Sequence, residues 1–197
     1  MFIDKEGNVR KPVAYLADFE MFLPTCKETV AEWKRICDKY GIIGLFPGED
    51  EPDDDMKPYV PKDDSWDEKW MAVFMHDVHQ MKRSDMVIAQ LDDWRSFQPD
   101  SGTLFESGYF AALDMPCYGF LKGSKTMLER TRRDKNKDGD IYYDQDGYAI
   151  EDRGFPLDNM ISYMKVGETF EEACKLARAD FDRQLIEYGY QPYKVEE

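Results

Sequence analysis

Short apolar runs alternate with longer amphipathic segments along the chain. The runs have five or six residues and few polar side chains, which is typical of strands buried in a parallel sheet. They are Val13–Ala17, Ile42–Phe46, Met86–Leu91 and Pro116–Leu121. Strands that alternate with helices predict a three-layer α/β fold whose sheet is mostly parallel.

Capping boxes predict where three of the helices begin. In each box a Ser or Thr is followed three residues later by a Glu, so that the two residues can satisfy free N–H groups of the first turn. The pairs are Thr25 with Glu28, Ser65 with Glu68, and Thr169 with Glu172. A glycine after the last apolar position predicts that the first helix ends at Gly41 and the last at Gly189.

The helix that begins after Ser65 is expected to reach about Arg83 and has one broad apolar face. We expect this face to pack in the core. It contains Trp66, Trp70, Val73, Phe74, Val78 and Met81. Asp77 falls on the same face, where a carboxylate is costly unless it is paired or lines a cavity. We therefore interpret Asp77 as a residue of a functional site.

Two acids mark the junction between the third strand and the helix that follows it. Glu106 lies in the apolar first turns of a helix that begins near Ser101, and Asp100 precedes it by six residues at the end of a polar loop. The carboxyl ends of strands present ligand sites in α/β folds. The same acids also fit a structural role, with Asp100 as a helix cap and Glu106 favoured by the helix dipole. The spacing leaves both interpretations open.

Composition and charge narrow the class of protein. We expect one domain over residues 1–197, because this length suits a single core. The net charge of −15, from 41 acidic and 26 basic residues, argues against partners such as nucleic acid or an anionic membrane. The four cysteines show no CxxC spacing, and the first residues contain no apolar leader, so we expect a cytoplasmic protein with reduced thiols.

One segment partly matches a calcium-binding loop. Asp134, Asn136 and Asp138 have the alternate spacing of its first ligands. The twelfth position is Gln145, where a bidentate Glu is wanted, so an ordinary polar turn is favoured. We expect residues 133–148 to form a loop insertion, and we expect no metal or organic cofactor.

Five sequence blocks together resemble the nucleoside 2-deoxyribosyltransferase family. In chain order they read VAYLADFEMFLP, GLFPGEDE, DVHQMKRSDMVIAQL, DSGTLFESGYFAAL and IEDRGFPLDNMI. The third and fourth blocks are the most specific, because they combine an acidic helix position, a strand and D-x-G-[ST]-x-x-E-x-G at set distances. The resemblance implies a flavodoxin-like doubly wound sheet and a homo-oligomer that shares its active sites between subunits.

The resemblance also implies roles for particular residues. Glu106 matches the nucleophile, and Asp100 matches an acid that binds the sugar. Tyr15 matches a tyrosine whose hydroxyl holds the nucleophile, and Asp77 matches an acid that contacts the base. Asn159 matches an asparagine that a neighbouring subunit contributes.

The reaction implied is the transfer of 2-deoxyribose between nucleobases through a covalent intermediate on Glu106. Its partners would be a deoxyribonucleoside and a free nucleobase. Hydrolysis of deoxynucleosides or their monophosphates is an alternative, and so is a non-catalytic nucleoside sensor. Family members often have small residues after the first strand, whereas Asp18 and Phe19 stand there in this chain. Asp18, Glu20 and Asp100 would repel a phosphate, which favours a neutral nucleoside.

Overall fold

A computed structural model of the protein describes residues 9–48, 60–95, 97–123, 125–131, 137–139 and 141–192. Its strands, numbered in chain order, are β1 (Val13–Ala17), β2 (Ile43–Leu45), β3 (Met86–Gln90), β4 (Cys117–Phe120), β5 (Lys137–Asp138), β6 (Ile141–Tyr143), β7 (Ala149–Ile150) and β8 (Lys165–Gly167). The helices are α1 (Cys26–Lys39), α2 (Trp66–Arg83), α3 (Ser101–Ala112), α4 (Met127–Thr131) and α5 (Phe170–Glu187), and a 3₁₀ turn spans Glu20–Phe22.

The main sheet has five parallel strands in the order β2-β1-β3-β4-β8. This is the strand order of a flavodoxin-like doubly wound fold, so the predicted fold class is confirmed. Strand β1 lies between β2 and β3, with Tyr15 paired to Leu45 on one side and Val87 on the other. Chain connections leave β1 and β3 in opposite directions, and the crevice at their carboxyl ends is where such folds bind ligands.

Helices cover both faces of the sheet, which gives the three layers that the sequence predicts. Because side chains alternate along a strand, Leu16 of β1 packs with Trp33 of α1 and Phe170 of α5, whereas Tyr15 packs on the opposite face with Phe110 of α3. Tyr15 is thus directed toward the layer that contains α2 and α3.

Two of the three predicted capping boxes are made in part and one is wrong. Ser65 and Thr169 have extended backbones, and each hydroxyl accepts a hydrogen bond from the N–H of the Glu three residues later. Thr25 is the cap residue of α1 but has φ −87° and ψ 5° and makes no side-chain cap hydrogen bond. An N-cap side chain reaches the first turn from an extended backbone, which Thr25 lacks.

The expectation that the apolar face of α2 packs in the core is wrong for its first turns. Trp66 is 75% exposed, Trp70 66% and Phe74 47%, whereas Met81 in the last turns is buried. Helical periodicity identifies an apolar face but does not tell what covers it. We call Trp66, Trp70, Val73 and Phe74 the α2 stripe.

A small antiparallel sheet is formed by β5 and β6, which lie in the predicted insertion, and β7, which follows it directly. Asp134 and Asn136 of the suggested calcium loop lie outside the described residues, and Asp138 belongs to β5. In the described ranges, no three His, Cys, Asp or Glu side chains are grouped so as to hold a metal ion. None of the helices described has the length and apolar character needed to cross a membrane.

Because β8 and α5 pack closely at Gly167, a substitution there is expected to lower the stability of the protein. A Cβ there would lie 2.6 Å from Cβ of Glu172 and 3.1 Å from the backbone N of Ala173. We expect Gly167→Ala to lower the free energy of unfolding by about 1–3 kcal/mol, because the backbone of α5 must move. Gly108 in α3 has no atom within 4 Å of the same position, so Gly108→Ala should be neutral or stabilise by up to ~1 kcal/mol. Urea denaturation measures both, and equal effects would contradict the prediction.

Candidate active site

A hydrogen bond joins the sheet to the helix that carries the candidate nucleophile. The hydroxyl of Tyr15 donates to Oε1 of Glu106 over 2.7 Å. Tyr15 is fully buried in the middle of β1, and its ring packs against Phe110, one turn beyond Glu106 on α3. Oε2 of Glu106 makes no hydrogen bond to a described residue. The side chain is therefore held in place through one of its two oxygens.

Asp100 caps the helix on which Glu106 stands. Its Oδ2 accepts hydrogen bonds from the backbone N of Thr103 at 3.0 Å and from the Thr103 hydroxyl at 3.4 Å. A Cβ at Gly102 would lie only 2.9 Å from Oδ2, so the glycine leaves room for the carboxylate. The capping interpretation of Asp100 thus applies to one of its oxygens. Oδ1 has no hydrogen-bond partner in the part of the chain that the structure describes.

Asp77 of α2 is a third carboxylate near this pair. It is half-buried, and burial raises the pKa of Asp77 above its ordinary value. Its negative charge in turn raises the pKa values of Tyr15 and Glu106. The last part of the exposed α2 stripe leads to Asp77, since Val73 and Phe74 precede it by one helical turn.

Burial dominates the electrostatics of Glu106. It raises the pKa of Glu106 to about 8, and the charges of Asp77, Asp18 and Asp100 act in the same direction. The hydrogen bond from Tyr15 opposes them, because it stabilises the ionised carboxylate. Burial and the charges of Glu106, Asp77 and Asp18 raise the pKa of Tyr15 well above its ordinary value, so the phenol keeps its proton and acts as a donor.

Asp18 belongs to this group, although sequence reasoning left its role open. It follows β1 directly and is only 6% exposed, and its Oδ1 accepts a hydrogen bond of 2.6 Å from the backbone N of Glu20. Burial raises the pKa of Asp18 to about 7. Gln90, at the end of β3, donates from Nε2 to Oε1 of Glu20 over 3.1 Å. Polar residues at the ends of two adjacent buried strands were the signal that could have identified this group.

The two acids of the loop after β3 have structural partners. Asp92 accepts a hydrogen bond of 2.8 Å from the backbone N of Lys122, and Asp93 pairs with Arg130 of α4. The Arg130 guanidinium also donates to the backbone oxygen of Pro156. Arg130 therefore ties the loop that leads to Asp100 to the segment that precedes Asn159, a role that its sequence position did not indicate.

Asn159 is not brought to Glu106 within this chain. Its side chain is exposed, its backbone N donates to the carboxylate of Glu151, and its carbonyl oxygen accepts a hydrogen bond of 2.8 Å from the Ser162 hydroxyl. The structure thus brings Tyr15, Glu106, Asp77 and Asp100 together and leaves Asn159 on the surface.

A cavity of about 460 Å³ lies at the other end of the sheet, beside the first residues of β4 and β8. Three of its charged groups are paired, since Asp180 contacts both Lys165 and Arg183. This cavity is separate from the group around Glu106.

Similar proteins cover most of the chain. The "Uncharacterized protein C191.05c" of Schizosaccharomyces pombe is 27% identical in an alignment that covers 93% of this chain and 94% of that protein. The structure named "2-desoxiribosyltransferase from Leishmania mexicana" superposes with a TM-score of 0.63 at 22% identity and covers 84% of this chain and 95% of its own. A conserved protein from Enterococcus faecalis V583 gives a TM-score of 0.51 at 16% identity, covering 86% and 98%. At these identities the two structures show a shared α/β fold.

The family itself is identified by a sequence model rather than by these pairwise similarities. The model described as "Nucleoside 2-deoxyribosyltransferase" matches residues 14–160, which is more than half of the chain. The matched region runs from β1 to the segment that contains Asn159 and includes all the residues grouped around Glu106. This chain therefore belongs to the nucleoside 2-deoxyribosyltransferase family.

Proposed function

We propose that this protein transfers 2-deoxyribose from one nucleobase to another, with Glu106 as the nucleophile. The observation that carries the proposal is the Glu106 carboxylate, which Tyr15 holds through one oxygen while the second has no partner among the described residues. A nucleophilic carboxylate needs a fixed orientation and an unoccupied oxygen. Family membership supports the same reaction class.

The proposed reaction has two displacements at the anomeric carbon. Oε2 of Glu106 forms a bond to C1′ as the glycosidic C–N bond breaks, and the base leaves with the bonding electrons and takes up a proton. A second base then attacks C1′ from the side that the first base left. The second base loses a proton as the ester bond between C1′ and Glu106 breaks. Two inversions retain the β configuration.

Asp77 is our candidate for the proton transfers to and from the base. Burial favours its protonated form, which is the form that can protonate a departing base. We propose that Asp100 binds a sugar hydroxyl through Oδ1, since Oδ2 is occupied by the helix cap. Each step is a displacement or a proton transfer, so we propose that no cofactor takes part.

The charge around Glu106 supports a neutral substrate. Asp18, Asp77 and Asp100 all act on Glu106, and the whole chain carries a net charge of −15. A nucleoside monophosphate would bring two more negative charges into this partly buried region. Water could still attack the intermediate, so deoxynucleoside hydrolysis is the second candidate. A sensor without catalysis does not account for the Tyr15 to Glu106 hydrogen bond.

We further propose that a second copy of the chain covers the α2 stripe. Trp66 stacks on Trp70 with ring centroids 6.3 Å apart, and Phe74 contacts Phe105, the neighbour of Glu106, at 6.2 Å. Phe105 is itself 57% exposed, so the apolar surface continues from α2 to the candidate site. Contiguous exposed apolar surface of this kind is typical of protein interfaces. A partner there would exclude water from Glu106, and we propose that it supplies Asn159.

We also propose a cytoplasmic location. The four cysteines are free, and two of them, Cys37 and Cys174, are fully buried. Reduced cysteines of this kind are typical of proteins in a reducing compartment.

Replacement of Glu106 tests the nucleophile. We expect Glu106→Gln to lower the formation of deoxyadenosine from deoxyinosine and adenine by at least ~10³-fold, because an amide cannot form the intermediate. Chromatography separates the products, and free base with free sugar would indicate hydrolysis. Glu28→Gln is the control: it removes the same charge from an exposed residue of α1, far from the site, and should keep full activity. The Glu106→Gln protein should remain folded and melt higher at pH 9 than wild type, since it removes a buried charge. Ordinary turnover by this variant would refute the assignment.

The raised pKa of Glu106 makes a prediction about pH. Because attack needs an ionised Glu106 and departure of the base needs a protonated Asp77, kcat/KM should follow a bell-shaped pH profile, with one limb set by an apparent pKa near 8 rather than near 4.5. Tyr15→Phe removes a hydrogen bond that lowers this pKa, so its profile should shift to higher pH. Tyr163→Phe is the control. It also removes a phenol hydroxyl, but this hydroxyl donates to the backbone oxygen of Ser107 over 3.1 Å and not to the Glu106 carboxylate. An unshifted profile in Tyr15→Phe would contradict the proposed role of the phenol.

The α2 stripe makes a prediction about assembly. Trp70→Glu places a charge in the proposed interface, so we expect a monomer with strongly reduced exchange activity. Ile186→Glu on α5 is the matched control, since Ile186 is 59% exposed in the opposite helical layer. Size-exclusion chromatography with light scattering measures the assembly state. A wild-type protein that is active as a monomer would rule out this interface.

A further inference from the structure

Two buried polar atoms at the carboxyl end of the sheet have no hydrogen-bond partner among the described residues. They are Oδ2 of Asp18, just after β1, and Oε1 of Gln90, at the end of β3. Both side chains are more than nine-tenths buried. Leaving such an atom unsatisfied costs free energy comparable to a lost hydrogen bond. The two atoms flank the crevice between β1 and β3, where this fold binds ligands.

The orientation of Asp18 is fixed by its surroundings. The backbone N of Glu20 donates to Oδ1 over 2.6 Å, which leaves Oδ2 as the oxygen without a partner. Phe19, the next residue, stacks on Trp94 with ring centroids 5.0 Å apart and holds the turn after β1 in place. Asp18 lies close enough to Glu106 and Asp100 for the three carboxylates to act on one another. The unpartnered oxygen therefore belongs to the candidate active site.

The chemistry of the two atoms indicates what would satisfy them. A carboxylate oxygen and an amide oxygen both accept hydrogen bonds, so the complementary ligand presents O–H or N–H donors. An anion at this place would face Asp18, Glu20 and Asp100 together. Burial raises the pKa of Asp18 to about 7, and the charges of Glu20 and Asp100 act in the same direction, whereas the backbone N–H groups of Glu20 and Met21 offset this only in part.

We propose that Asp18 is a specificity-determining residue, whose Oδ2 accepts a hydrogen bond from an O–H or N–H group of a neutral nucleoside and whose charge disfavours the corresponding 5′-monophosphate. The inference rests on the proposed function and extends it to the choice of substrate. The donor is either a sugar hydroxyl or an amino group of the base. Both groups are neutral hydrogen-bond donors, and the binding experiment below distinguishes between them.

Binding measured without turnover tests the inference. Isothermal titration calorimetry in the Glu106→Gln background compares proteins with and without Asp18→Asn, a change that keeps the size and the Oδ1 acceptor but replaces Oδ2 with an N–H₂ donor. The ligands are 2′-deoxyadenosine, its 5′-deoxy analogue, deoxyinosine and deoxyadenosine 5′-monophosphate, with the corresponding cytosine and uracil compounds in parallel. Asp38→Asn is the control, because Asp38 pairs with Lys11 on the surface at the amino end of the sheet.

We expect Asp18→Asn to weaken deoxyadenosine or deoxycytidine binding by about 10–100-fold, as for other hydrogen bonds to charged groups. The monophosphate should gain at least about tenfold relative to the nucleoside. If the donor is the 5′-hydroxyl, the 5′-deoxy analogue should be insensitive to Asp18→Asn. If the donor is the amino group of the base, the deoxyinosine and deoxyuridine affinities should be insensitive instead. Asp38→Asn should change none of these values.

An equal loss for every ligand would show that Asp18 only supports the fold, and no loss for any ligand would show that a water molecule satisfies Oδ2; either result overturns the inference. Exchange activity of the wild-type protein is measured separately. Selective binding without exchange would refute the proposed transferase activity and support the role of Asp18. Exchange with unselective binding would support the transferase activity and refute the role of Asp18.

Discussion

The hydrogen bond from Tyr15 to Glu106 connects the two parts of the fold on which the candidate site depends. Tyr15 can reach Glu106 only because β1 lies at the centre of the sheet and α3 packs closely against its face. The phenol has a second effect, since it is the only one of the forces acting on Glu106 described above that favours the ionised form. Position and charge state of the carboxylate thus depend on the same contact.

The rest of the site works against ionisation. Burial, together with Asp18, Asp77 and Asp100, raises the pKa of Glu106, so the site holds several acids that cannot all carry a charge at low cost. Such an arrangement is unfavourable for stability and is kept where the surrounding packing is strong. Here the strength comes from the parallel sheet and from two apolar layers, one with α1 and α5 and one with α2 and α3. A bound sugar with hydroxyl donors would relieve part of this electrostatic cost.

Much of the fold could be predicted from the sequence because local patterns determine it. Four apolar runs gave four strands of the main sheet, and β8 was missed because Lys165, Val166 and Gly167 are too few and too mixed to stand out. The α2 stripe is a different kind of error. Its apolar face was predicted correctly, but the face is exposed and does not pack in the core. The contact between Tyr15 and Glu106 spans 91 residues, and no spacing rule predicts it. The family resemblance implies this contact. The hydrogen-bond partners of Asp18 and Arg130 could be identified only from the three-dimensional structure.

Asp100 stands at the first turn of α3 and next to the candidate nucleophile at once. Its cap is made with Thr103, and Gly102 is small enough to leave the carboxylate in place. Helix caps of this kind stabilise proteins by about 0.5–2 kcal/mol. Protein engineering that aims at new sugars therefore has little freedom here. Asn, Ser and Thr can cap a helix as Asp does, so a mutant library restricted to them would vary the proposed sugar contact without fraying the start of the helix that carries Glu106.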